Sequence, residues 1–177
     1  MAKKQIKKEK KEKGEVKKSE AGLFLEVKKI SKDAFLPEYM LNTDVGLDLR
    51  ANETVGLYPM EQKAVKTGIA VKIPEGHVGL IRDRAGIVSK MNVHTAAGTF
   101  DSAYTGEVSV ILVNLGENSV EIEKGMRIAQ LVIIPITKVK VKEVNSLLKT
   151  DRGEKGFGST GIKEKLGEFT KLAKNME

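Results

Sequence analysis

EVSVILVNLGENSVEIEKGMRIAQLVIIPI, residues 107–136, is the stretch on which the reading of the fold turns. Val108, Val110 and Leu112 recur at every second position, the period of a strand that turns one face to a core. Leu115-Gly116-Glu117-Asn118 breaks that run, residues 119–122 form a second apolar segment, Glu123-Lys124-Gly125 breaks the chain again, and residues 127–136 form a third. Glycine among Asn, Glu and Lys supplies the φ freedom of a reversal. Neither break has room for a crossover helix, which needs about a dozen residues. The connections therefore read as hairpin-like and the strands as antiparallel. The same pattern continues outward, with apolar or alternating runs at residues 23–30, 47–51, 63–73 and 77–81 and a further turn at Pro74-Glu75-Gly76. Seven such strands imply an all-β sandwich, barrel or jelly roll.

The chain has 177 residues, the size of one domain that buries a core without disulfides. It contains no cysteine, which excludes disulfide frameworks, thiolate nucleophiles and thiolate zinc sites and fits a reducing cytoplasm. The net charge of +7 is largely local, because residues 1–20 hold nine lysines against four glutamates. That tail has almost nothing to bury and is expected to be disordered. Without aromatic residues it predicts no specific nucleic-acid binding. No apolar segment follows the basic start as a secretory signal requires, and the longest apolar run, residues 131–134, is far too short to cross a bilayer. The expectation is a soluble cytoplasmic protein: a tail over residues 1–20, a β domain over 21–148 and a glycine-rich arm over 149–161. A short amphipathic helix over 162–177 follows from the spacing of Ile162, Leu166, Phe169, Leu172 and Met176.

Polar residues gather in five places. Residues 95–106, TAAGTFDSAYTG, set the Asp101 carboxylate and the Tyr104 ring in what reads as a tight hairpin before residues 107–114; an ordinary turn stabilised by Asp101 reads the same letters. Asp83-Arg84-Ala85-Gly86-Ile87 puts a guanidinium beside an unobstructed amide, a combination for phosphate, although a surface arginine in a turn is spelled identically. Gly156-Phe157-Gly158-Ser159-Thr160-Gly161 offers an aromatic face, hydroxyls and open amides, suited to covering a base and holding phosphate, or else it is a plain tail. It is no P-loop, since no lysine follows its last glycine and no βαβ unit surrounds it. Val45-Gly46-Leu47-Asp48-Leu49 places a lone carboxylate in an apolar strand, which is costly without a partner. Arg127-Ile128-Ala129-Gln130-Leu131 spaces Arg127 and Gln130 three apart, hence on opposite faces of a regular strand.

In order, VGLDL, DRAGI, GTFDSAYTG, GMRIAQL and RGEKGFGSTG resemble the five motifs of the dUTP pyrophosphatase (dUTPase) family, across about residues 23–161. The resemblance implies a jelly-roll, or β-clip, fold with a C-terminal arm and a homotrimer whose active sites each draw on three chains. It implies Mg²⁺-dependent hydrolysis of dUTP to dUMP and pyrophosphate, which lowers dUTP and supplies dUMP for thymidylate synthesis. At the matching positions, Asp101 holds the 3′-hydroxyl and orients or deprotonates the attacking water. Tyr104 packs under the deoxyribose and excludes a 2′-hydroxyl. Backbone groups of residues 95–100, with Thr95, Gly98, Thr99 and Phe100, read the uracil edge in a hairpin too closed for the thymine methyl. Arg84, Ala85, Gly86 and Gln130 meet the phosphates, and Ser109 also contacts substrate. Phe157 stacks on the uracil, while Arg152, Gly158, Ser159 and Thr160 engage substrate as the arm closes. Asp48 hydrogen-bonds water on a Mg²⁺ otherwise held by the triphosphate and solvent. With His77 and His94 the only histidines, a closed zinc site is not expected.

Two positions depart from the pattern. Ala85 stands where the family usually carries serine, and the missing hydroxyl predicts chemistry slower by about ten- to a hundred-fold. Asp83 lies beside the presumed polyanion site and has to point away or pair with a cation. Two rival readings remain. One is a dCTP deaminase, or a bifunctional dCTP deaminase/dUTPase, toward which Val93-His94-Thr95-Ala96 leans; its glutamate base, however, is matched here by Ile111, which cannot move protons. The other is a non-catalytic nucleotide-binding module, motivated by Ala85 and the basic tail.

Overall fold

Alternation of apolar residues produces ten strands and one short helix in the structure, a computed structural model that describes residues 22–154. The expected tail over residues 1–20, the helix over 162–177 and the positions Phe157, Gly158, Ser159 and Thr160 lie outside the described residues. The order is β1 (Glu26–Lys29), β2 (Leu47–Arg50), β3 (Val55–Leu57), β4 (Gln62–Lys72), β5 (His77–Arg82), α1 (Ala85–Met91), β6 (Val93–Thr95), β7 (Thr99–Phe100), β8 (Glu107–Asn114), β9 (Val120–Ile122) and β10 (Arg127–Pro135). One four-stranded sheet runs β1-β4-β8-β6, the other β2-β10-β5-β7, and β3 pairs with β9. Among the described residues every ladder is antiparallel and none joins strands adjacent in the chain.

The fold is thus the all-β jelly roll expected from the alternation, but the hairpin-like connections are not. Pro74-Glu75-Gly76 carries the chain from one sheet to the other, and the turns at 115–118 and 123–125 likewise lead away from the strand just left. Turn residues dictate that the chain reverses; they do not dictate which edge it joins. The helix α1 is also absent from the sequence reading. Only its Ile87 is buried, and Arg84, the residue that precedes it at the N-cap, makes no side-chain cap, so neither amphipathic spacing nor a capping residue marks it.

Val65 and Ile69 of β4, Val108, Val110 and Leu112 of β8, and Leu49, Ile81, Ile128 and Leu131 of the other sheet join one buried core. Each such side chain contributes about 1.5–3 kcal/mol on burial. The residues group into two compact units, Met1–Lys138 and Val139–Glu177. All the named elements lie in the first. Residues 139–154 are the described part of the second; Val139, Val141, Leu147 and Leu148 are exposed there, and the Gly153 amide donates to Thr150 Oγ1 at 3.1 Å. Among the described residues no helix is long and apolar enough to cross a membrane.

The crossing from β6 to β7 sets up everything that follows. The Ala96 amide still donates to Ile111 of β8, at 2.9 Å, while the Gly98 carbonyl already accepts from Ile81 of β5, at 2.8 Å. The switch between sheets is made at Ala97, with φ 63, and Gly98, with φ 128. A Cβ at position 98 would stand 2.5 Å from the Ile81 Cβ, so only glycine fits both the backbone and the space. Gly98→Ala is expected to cost about 2–4 kcal/mol of stability in urea unfolding; a loss within about 0.5 kcal/mol would show that the crossing tolerates a side chain.

Candidate active site

A carboxylate inside a sheet must find cations, and Asp48 finds two. It is 7% exposed. Its Oδ1 accepts from Arg84 Nε at 2.7 Å, and its Oδ2 accepts from Arg84 Nη2 at 3.2 Å and from Arg127 Nη1 at 3.4 Å. Arg84 reaches it from the residue that opens α1, Arg127 from the start of β10. These side chains, with Ala85, Gly86, Gln130, residues 40–41 and residues 43–46, line a cleft of about 560 Å³.

Arg127 and Gln130 were expected on opposite faces, and the structure corrects this. The pairing of β10 with β2 slips between Arg127 and Ala129, so Arg127 stands opposite Arg50 while Gln130 stands opposite Asp48. The extra residue of this bulge returns both side chains to one face. Ile128, at the slip itself, and Ala129 after it are both buried. Gly46 completes the arrangement: a Cβ there would lie 2.5 Å from Gln130 Oε1.

Asp83 points out of the cleft. Its Oδ1 accepts from the Thr95 amide and the Thr95 hydroxyl, both at 2.6 Å, its Oδ2 lies 3.0 Å from His94 Nδ1, and its carbonyl accepts from Gln130 Nε2 at 2.9 Å. Partial burial raises the carboxyl pKa, but the Thr95 hydroxyl, the Thr95 amide and His94 outweigh it and leave the group below its ordinary value. Thr95 is therefore bound to Asp83 through both its donors, and the Ala96 amide is taken by Ile111. Of residues 95–100, expected to read a base, the Thr95 and Ala96 amides and the Gly98 carbonyl are thus already engaged within the chain.

Asp101, Phe100 and Tyr104 form a separate group. Phe100 and Tyr104 meet edge-on with centroids 5.6 Å apart, the Tyr104 hydroxyl donates to the Glu107 carbonyl at 3.0 Å, and the Tyr104 amide donates to the Asp101 carbonyl at 3.1 Å. The Asp101 side chain is exposed, and its carboxylate has no partner among the described residues. The tight hairpin expected around it is instead a loop between strands of different sheets. Phe100 lies opposite Gly79 of β5, five residues before Arg84, or about 16 Å along the strand at ~3.3 Å per residue. Asp101 continues away from Arg84. Asp48 lies on the far edge strand β2, roughly 14 Å across at ~4.8 Å per strand.

One chain therefore brings together Asp48, Arg84, Ala85, Gly86 and Gln130, and keeps Asp101 and Tyr104 apart from them. Thr99 stands beside Phe100 at the start of the second group. Ser109 is in neither: it faces outward on β8, opposite Lys66. Arg152 is exposed in the second unit. The pairing of Arg127 with Asp48 is not disclosed by the sequence motif, whereas Asp83 points away from the cleft, one of the two arrangements expected for it. Among the described residues no three His, Asp or Glu side chains gather as a metal cage.

Because its folded pKa is depressed, Asp83 contributes stability that is complete above the ordinary value of 3.8 and is lost as pH falls through the folded value. Acid unfolding of Asp83→Asn should show a shallower decline below about pH 4 than the parent chain; an identical acid limb would mean these hydrogen bonds add nothing to the ionised form.

The sequence profile of the dUTPase family matches residues 32–161. The deoxyuridine 5′-triphosphate nucleotidohydrolase of Gloeothece citriformis is 46% identical over 140 residues, 78% of this chain and 97% of that protein. That of a Hydrogenobaculum species is 47% identical over 140 residues, 77% and 97% of the two chains. Among solved structures, the Staphylococcus bacteriophage 80alpha dUTPase with dUpNHpp is 38% identical with a TM-score of 0.74, covering 78% of this chain and 99% of its own. A mutant dUTPase from phage phi11 of S. aureus, studied for the coordination of a structural Mg(II) ion, is 31% identical with a TM-score of 0.67, covering 71% and 99%. Matched in sequence and in fold across most of its length, the chain belongs to the dUTPase family.

Proposed function

We propose that this chain hydrolyses dUTP to dUMP and pyrophosphate in active sites assembled between chains of a homotrimer. The observation that carries the reading is the cleft in which Arg84, Gly86, Gln130 and Asp48 converge in a member of the dUTPase family. Two guanidinium groups and an open glycine amide are chemistry for phosphate oxygens. Asp101, exposed and unpartnered beside an aromatic pair, is chemistry for a sugar hydroxyl and a water. Because the two groups lie apart within one chain, Asp101 and Tyr104 of one protomer complete the cleft of another. The sheet face bearing Leu80, Val132 and Ile134 supports such an assembly: Val132 stands opposite Leu80, and Ile134 is 39% exposed, an apolar surface that another chain would cover.

In this reading Asp101 orients the water and takes its proton as the water oxygen bonds to the α-phosphorus; the bond from that phosphorus to the bridging oxygen breaks and pyrophosphate leaves. Tyr104 packs against the deoxyribose, and the backbone at Ala97 and Gly98 faces the uracil edge. Arg84, Gly86 and Gln130 hold the phosphates in line, so the protein contributes mainly position and electrostatics. Mg²⁺, when bound, neutralises phosphate charge. The donor set fits an ion held chiefly by triphosphate and water, since the described residues offer no cage and Asp48 is shared with two arginines. Arg152, Phe157, Gly158, Ser159 and Thr160 belong to the arm that closes over the nucleotide and excludes bulk water. Ala85, at the lip of the cleft, leaves the leaving phosphate one hydroxyl short.

The test offers dUTP, dTTP, dCTP and UTP with Mg²⁺ and identifies the products. The expected result is dUMP with one pyrophosphate from dUTP, the other nucleotides at least about 100-fold slower, and an Asp101→Asn chain reduced by at least about 100-fold. Comparable turnover of dTTP, ammonia from dCTP, or an Asp101→Asn chain at full rate would overturn the assignment.

A further inference from the structure

The turn that carries Arg84 is held locally by backbone bonds alone, the Arg84 carbonyl accepting from the Ile87 and Val88 amides at 2.9 and 3.1 Å. The helix it opens has no side-chain cap and buries only Ile87, and Ala85 and Gly86 are both exposed. Yet Arg84 presents its guanidinium edge-on to Asp48 through two hydrogen bonds, which demands a fixed backbone immediately before it. The fixed point is Asp83. Its carboxylate reaches from the end of β5 in one sheet to β6 in the other and receives three donors, the Thr95 amide, the Thr95 hydroxyl and His94 Nδ1. Its carbonyl receives Gln130 Nε2, so the same residue also sets the direction of the amide beside the cleft.

We propose that Asp83 is a positioning residue for the reaction: by pinning the β5-to-α1 turn to Thr95 it holds Arg84 in the orientation that receives the phosphates. The inference rests on the assignment of Arg84 to the phosphates made above. It explains why an acidic residue is tolerated beside a polyanion site, since both carboxylate oxygens face β6 and not the cleft. It also gives Thr95 a part different from base recognition. An arginine that must be reoriented on every encounter loses part of its transition-state interaction, whereas one held in place does not.

The test is a double-mutant cycle on the full-length chain, reading kcat/KM for dUTP together with thermal unfolding, with assays run well below the transition. Asp83→Ala should lower kcat/KM by about ten- to thirty-fold, and Asp83→Asn, whose amide oxygen still accepts from Thr95, should stay within about three-fold of the parent. In an Arg84→Ala background, Asp83→Ala should add no more than about a two-fold loss, because the residue it positions is gone. A general weakening of the fold would instead multiply the two losses, and that result, or an Asp83→Ala chain at full activity, overturns the proposal. Should Arg84→Ala itself leave turnover intact, the assignment of the cleft to phosphate fails, a separate outcome that removes this inference with it. If Asp83→Ala does not fold, Thr95→Val, which deletes one donor and keeps the carboxylate, enters the same cycle: a loss of about three-fold that disappears in the Arg84→Ala background supports the inference, and a loss unchanged there contradicts it.

Discussion

A carboxylate buried on an edge strand cannot be left alone, and much of the geometry around the cleft follows from satisfying Asp48. Its burial is near complete while Arg84 and Arg127 keep 26% and 36% of their side-chain surface, so the charges are buried on one side and hydrated on the other. A fully buried pair that loses a partner costs about 3–5 kcal/mol; partial exposure here brings that down. More important is what the pairing constrains. Arg84 has to approach from the end of β5, and Arg127 has to share a face with Gln130, which a regular strand forbids and the bulge in β10 allows. The cations held this way keep part of their side-chain surface open to the cleft, where a phosphate can meet it without reorientation.

The topology explains why the remaining chemistry is elsewhere. With no two consecutive strands paired among the described residues, each connection delivers its residues to a different sheet, and the loop carrying Asp101 emerges beyond β7, on the edge opposite β2. Within one chain the Asp48–Arg84 cleft and the Asp101 loop lie toward opposite edges of the same sheet, the separation on which the proposed assembly rests. Their completion by neighbouring chains requires no further rearrangement of the fold, only contact between surfaces that are already exposed. Asp83 ties the two halves within a chain, because the strand it grips, β6, leads directly through Ala97 and Gly98 to Asp101.

The long strands were legible because their apolar residues alternate over enough positions to leave no other reading: β4, β5, β8 and β10 stand within a residue or so of where the pattern puts them. The short pieces β3, β6 and β7 and the helix α1 have two to seven residues each, too few for a period to declare itself. Glycine and asparagine marked the reversals truthfully, yet partner choice is a long-range matter, decided by which edges remain open, and no local residue encodes it. The cleft residues were legible as motifs. Their grouping was not, because the Arg127–Gln130 relation depends on a bulge that no residue marks in the sequence, and because both donors of Thr95 are taken by Asp83.

The central claim is that each cleft is completed by another chain, and subunit complementation measures it directly. Arg84→Ala and Asp101→Asn chains, each strongly impaired alone, are unfolded together, refolded as a mixture and assayed for dUTP hydrolysis, with native mass spectrometry confirming mixed oligomers. Activity should return to about a quarter of the parent level, the share of sites that draw an intact Arg84 from one chain and an intact Asp101 from the other. Mixed oligomers that stay inactive would mean that both residues serve a site within a single chain.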